Sequence, residues 1–225
     1  MGGSLVMSFG TRSLPPLGAP PARSLLRSPR GLATALTVLL GVCAVTRLLL
    51  FAADAGWYLS LDGTRDTDPW GRLLAMATSL TLLAMLPTAV VFVVWFHRVR
   101  VNAGVFAPEL FRRGPGWAIG IWFIPFVGWT FLAYGIATGV WAAGAPKSSR
   151  AAAPLSAAPV TAWSVSFGAA MLASLVSGRM GAAAEAQAGL RAAELVAMAS
   201  DLLFVVAAGF AVLFVRKVSA MQASA

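Results

Sequence analysis

Four stretches of the chain are apolar almost without interruption, at about 33–55, 73–96, 160–177 and 195–215. A fifth, 116–143, carries no charge but is broken by Pro125 and by glycines at 116, 120, 128, 135 and 139. Runs of this kind approach or reach the roughly 20 residues that cross a hydrocarbon core about 30 Å thick. No window alternates with the period of a strand, so the predicted elements are helices, which satisfy their own backbone in lipid. The fold class expected is an all-α integral membrane protein. Pro87, inside the second stretch, predicts a kink that neighbouring helices tolerate.

The polar positions divide the chain further. Residues 1–30 hold prolines at 15, 16, 20, 21 and 29 and arginines at 12, 23, 27 and 30, which predicts a disordered, basic, Pro-rich cytosolic tail. A basic region, an apolar run and then Ala53-Asp54-Ala55 also resemble a cleaved signal peptide; the length of the basic part and Arg47 within the run weigh against cleavage. The loop after the first span, with Trp57, Tyr58, Asp62, Asp66, Asp68 and Trp70, suits an outer interface, whereas His97, Arg98, Arg100, Arg112 and Arg113 suit the cytosolic side. The membrane domain is expected over 31–218, followed by a short C-terminal tail at 219–225.

Basic residues decide how 116–143 is threaded. If it enters and returns to the cytosolic side, twelve basic residues lie inside and four outside; if it crosses, the split is ten to six. The first arrangement follows the positive-inside bias better. The expectation is therefore four transmembrane helices plus a cytosolic-side re-entrant or interfacial helical hairpin, with both termini cytosolic in the cell (inner or plasma) membrane. Five transmembrane helices is the alternative.

Composition narrows the function classes. Of 225 residues, 59% are apolar and 11% charged, with mean hydropathy +0.80, outside the range of soluble domains. The net charge of +9 comes from basic residues scattered through loops and tails, 15 arginines to 2 lysines. That pattern reads as topology, and no nucleic-acid partner is expected. Cys43 is the only cysteine and His97 the only histidine, so no disulfide, metal site or cofactor is expected, and no catalytic residue is assigned.

Two groups of polar residues remain as candidates. Arg47 lies in the first span and Asp201 in the last, where ionisable residues mark pairing or transport sites. In the four-span arrangement these helices are antiparallel, and counting turns places both groups about 9 to 12 Å below the outer surface. Arg47 and Asp201 are then expected to pair, with Asp54 joining from seven residues further along the same face; a single crossing by 116–143 would put Asp201 near the opposite surface. Trp95, Arg98 and Asn102 share a helix face, and Arg98 and Asn102 are expected to latch the hairpin by donating to carbonyls left free at Phe123-Ile124-Pro125-Phe126. Gly116…Gly120 and Gly135…Gly139 fit the small-xxx-small spacing, expected first for packing within the chain and second for a homo-oligomer.

The order Trp95, Arg98, Asn102, then Pro115-Gly116-Trp117-Ala118, Trp122-Phe123, Pro125, Tyr134 and Trp141 resembles the bacterial membrane family called domain of unknown function 4328. Members of that family look like W-x-x-R-x-x-x-N, a linker, S-P-G-W-A-x-G-W-W-F-x-P, and a polar R-P-Y-Q-x-x-x-E-x-W ending. Here 131–141 keeps the tyrosine and the tryptophan and loses the arginine, proline and glutamate. The resemblance implies architecture and no activity. The function expected is a non-enzymatic interaction or scaffold module that meets a protein partner through the hairpin and the N-terminal tail, with the lipid bilayer as its surroundings. The alternative is a transporter, channel or lipid-binding protein that uses the Arg47/Asp54/Asp201 seam.

Overall fold

The computed structural model describes residues 26–63, 67–145 and 156–223. Among these residues every regular element is helical. Four helices are long and apolar enough to cross a membrane: α1 (Arg30–Ser60), α2 (Asp68–Phe106), α5 (Ala158–Ala182) and α6 (Gln187–Ala223). Between α2 and α5 lie α3 (Trp117–Gly120) and α4 (Ala133–Ala143), joined by irregular turns. Most of the expected Pro-rich tail lies outside the described residues.

Proline marks where helices begin. Pro69 and Pro159 occupy the first turns of α2 and α5, where the missing N–H costs nothing. Pro87 sits inside α2, whose helix continues through it. α2 has 39 residues and α6 has 37, so at 1.5 Å per residue each is longer than 50 Å, well beyond the roughly 30 Å of hydrocarbon. Their surplus lies at the end that holds the start of α1. There α6 runs on to Ala223, through most of the positions read from sequence as a short C-terminal tail. The reason is packing: Trp95 Nε1 donates to Ser219 Oγ (3.1 Å), and Gln222 Nε2 donates to the Val99 carbonyl (2.9 Å).

α6 packs along both α5 and α1, and α1 packs along α2, whereas α2 and α5 hardly approach each other. The four helices therefore form an open arc in the order α2, α1, α6, α5. The segment between α2 and α5 closes the gap at one end. It descends through α3 and a 3-10 turn at Ile121–Phe123, reverses over Ile124–Val127, and climbs back through a π-helical turn at Gly128–Leu132 into α4. At the reversal Phe126 has φ +58°, and Val127 N–H bonds the Pro125 carbonyl (2.7 Å), a tight turn that L residues seldom adopt. A Cβ on Gly128 would overlap the Ile121 carbonyl oxygen, so only glycine lets the two arms meet.

Aromatic rings bind the arms to the arc. Phe92 meets Trp122 edge-on (5.4 Å) and Trp163 (5.6 Å); Phe214 of α6 takes Trp95 edge-on and Trp163 face-on, both at 5.5 Å. Such pairs contribute about 0.5–1.5 kcal/mol each beyond their burial. The buried core thus lies at the end of the bundle where α2, the 117–143 segment, α5 and α6 converge.

Candidate functional site

Below that aromatic layer the gap between α2 and α5 is not filled. A cavity of about 360 Å³ remains, within the 300–1,000 Å³ typical of small-molecule sites. α1 and α6 line it through Leu40, Cys43, Phe204 and Ala208, α2 through Met85 and α5 through Met171, and Trp122 and Trp129 line it from the 117–143 segment. Arg47 is the only charged residue in the lining among the described residues.

Most of the other polar groups of the lining are bonded within the protein. Thr81 and Thr88 donate to Ala77 O (2.8 Å) and Ala84 O (2.7 Å) one turn back on their own helix, and Cys43 Sγ lies 3.2 Å from Thr88 Oγ1. The indole N–H groups of Trp122 and Trp129 are bonded to Ala118 O (2.9 Å) and Trp122 O (2.7 Å), inside the segment itself. With most donors consumed in this way, the walls present mainly carbon. Such a surface suits an apolar chain and gives a hydrated ion no replacement for its water.

Arg47 is held from two directions. Its Nη1 donates to Asp201 Oδ1 at 3.0 Å, and its guanidinium lies 3.9 Å over the Phe204 ring. The Arg47 side chain is 18% exposed, Asp201 only 3%, and this is the ion pair among the described residues. Asp54 is buried beside Asp201, with Glu194 within electrostatic reach. Asp201 Oδ2 is buried with no hydrogen-bond partner among the described residues. The structure therefore brings Arg47, Asp54 and Asp201 together at the polar end of an otherwise apolar cleft.

The expected latch is different from the one drawn from spacing. Asn102 Nδ2 donates to Arg27 O (3.0 Å) and Gln222 Oε1 (3.0 Å), its Oδ1 accepts from Arg27 N–H (3.3 Å), and Arg98 Nη1 donates to Ser28 O (3.2 Å). Neither side chain is bonded to the Phe123–Phe126 carbonyls. Those carbonyls are used locally instead, Ile124 O by Gly128 N–H (3.0 Å) and Phe126 O by Thr130 (3.0 Å from N–H). Arg98 and Asn102 thus secure the chain entering α1. Exchanging Asn102 for aspartate removes both Nδ2 donors and faces a carboxylate toward two acceptors. It is expected to lower stability by about 3 kcal/mol, and N102A by about 1–3 kcal/mol, read as a fall in thermal unfolding temperature in detergent.

The remaining motif residues lie as follows. Trp95 is fully buried in the aromatic layer and Trp141 packs on Phe214 at 6.4 Å. Tyr134 OH lies 3.2 Å from Thr161 Oγ1, tying α4 to α5. Trp117 lies beneath the Arg113 guanidinium, and Pro115 O and Gly116 O accept the first bonds of α3. Phe123 is 81% exposed. Gly139 lies under the Phe111 ring, while Gly135 has open space around it. His97 is half-buried, and no group of three or more metal-ligating side chains occurs among the described residues. The cavity walls Met85, Phe167, Met171 and Phe204 carry no signal in the sequence, because an apolar residue facing a void reads like one facing lipid.

No curated protein and no solved structure matches the chain. A family match covers residues 70–220, from the first turn of α2 almost to the end of α6, and so includes the whole motif from Trp95 to Trp141 and Asp201. On that match this multi-pass membrane protein belongs to the family described as domain of unknown function (DUF4328).

Proposed function

We propose that this protein is a non-enzymatic lipid-binding protein that takes one hydrocarbon chain of a membrane lipid into the cleft between α2 and α5. The observation that carries the reading is the cleft itself, walled mainly by carbon and ending at a largely buried cation–carboxylate pair. A chain enters sideways between two helices that do not pack together, past Met85 and Met171, whose unbranched side chains adapt to an irregular guest. The head group stays near the Arg47 end. The same carbon walls weigh against an ion or solute path, which would have to be lined by donors and acceptors.

The membrane arrangement belongs to the same proposal. Arg113 O accepts from Arg100 Nη2 (2.6 Å) and Gly144 packs on Met221, so the two ends of the 114–144 segment lie beside the same ends of α2 and α6. Trp122 reaches Phe92, eight residues and about 12 Å deeper along α2. Four spans with a re-entrant hairpin, cytosolic termini and an inner or plasma membrane location fit this geometry and the distribution of basic residues.

Filling the cleft tests the reading. Native mass spectrometry of the detergent-extracted chain is expected to show about one retained phospholipid per wild-type molecule and none on A208F, whose ring occupies the space beside Phe204. The unfolding temperature of A208F should stay within a few degrees of wild type. Equal retention by both proteins, or none by wild type, sinks the proposal.

A further inference from the structure

On the other side of the re-entrant segment, a second cavity of about 270 Å³ opens between the end of α2 and the two arms, lined by Arg100, Phe111, Arg112, Arg113, Trp117 and Leu132 among others. Among the described residues no carboxylate lines it, and none of its three arginines forms an ion pair with another of them. Arg100 does not reach out to water in the manner of an interfacial arginine: it is 5% exposed. Its guanidinium lies 3.6 Å over the Phe111 ring, and its Nη2 donates to Arg113 O at 2.6 Å. Arg113 in turn lies 4.8 Å over Trp117. Phe111 is itself held by close packing on Gly139.

Stacking engages the flat faces of a guanidinium and leaves its N–H edges to donate in the ring plane. Arg100, buried, and Arg113, exposed, are stacked in this way, and with the exposed Arg112 beside them they form an array of donors at the mouth of the pocket. That array matches the oxygens of a phosphate, to which arginine binds through paired, charge-assisted hydrogen bonds. The apolar part of the wall, Ile121, Leu132 and Ile136, suits carbon next to the phosphate.

We infer that this cavity binds a phosphate group at the membrane surface. The site is separate from the chain-binding cleft, since adjacent residues Ile121 and Trp122 face the two cavities separately. The phosphate belongs either to a lipid head group or to a soluble compound, and competition distinguishes these. In the experiment, delipidated full-length protein in micelles is titrated with short-chain phosphatidic acid, with binding followed by native mass spectrometry. Wild type is expected to bind at least about tenfold more tightly than R112Q/R113Q, with R112K/R113K in between because lysine keeps charge and loses the fork. Displacement by millimolar inorganic phosphate assigns the site to a soluble phosphate, and resistance to it assigns a lipid head group. A208F should bind phosphatidic acid here as wild type does, so loss of the cleft and loss of this site are read separately. Wild-type binding that R112Q/R113Q reproduces, or no binding by wild type, overturns the inference; should the glutamine variant not fold, R112K/R113K binding as tightly as wild type does the same.

Discussion

R47L is expected to lower the stability of the folded protein by about 3–5 kcal/mol, because it leaves Asp201 buried without its cation. The geometry makes the loss severe: Asp201 is almost fully buried, Asp54 is beside it, and Arg47 supplies the hydrogen bond of 3.0 Å. D201L is expected to cost somewhat less, since Arg47 keeps its place over Phe204 and the neighbouring Asp54. The double variant R47L/D201L should recover much of the loss, as replacing a buried ion pair with packed apolar groups is often neutral. Thermal unfolding of the three variants in one detergent checks this. A coupling of about 2 kcal/mol or more is predicted, and losses that simply add would remove the pair from the account.

The second large effect falls on Gly128. In G128A the new methyl meets the Ile121 carbonyl oxygen and crowds Ile124, and backbone on both sides leaves nothing flexible to yield. Overpacking of this kind costs about 1–3 kcal/mol where side chains can adjust, and more is expected here. G135A is the control. Gly135 lies in α4 with open space around it, so alanine there should be neutral or stabilise by up to about 1 kcal/mol through helix propensity. Because Trp129 follows Gly128 directly and lines the cleft, G128A should also lose bound lipid while G135A keeps it. Equal unfolding temperatures for the two would show that the arms do not meet as described.

Much of the scaffold is legible along the chain. Hydropathy marks the four long helices, since a crossing helix must carry an apolar run of fixed minimum length. Counting turns from the ends of antiparallel helices puts Arg47 and Asp201 at one depth, and the structure has them bonded. The reversal falls at Pro125, where the missing N–H and the ring disfavour a continuing helix. Other features depend on what the chain meets in space. Asn102 is visible as a buried-side polar residue, but its partner is the backbone of Arg27, 75 residues away, and no side-chain pattern announces a backbone partner. Ser219 and Gln222 looked like tail residues because they follow Arg216 and Lys217; their roles appear only when α6 lies against α2. The cleft is the least legible feature. It exists because α2 and α5 fail to pack, and an absence of contact leaves no mark in the residues that line it.

The most direct test of the central claim is photo-crosslinking with a phospholipid that carries a diazirine midway along one chain, followed by peptide mapping of the labelled full-length protein. The account predicts adducts concentrated on the cleft walls, at Met85 and Val93 of α2, Phe167 and Met171 of α5 and Phe204 and Ala208 of α6, and predicts that A208F abolishes them. Adducts spread evenly over outward-facing residues such as Val38, Leu83 and Leu202, unchanged in A208F, would contradict it.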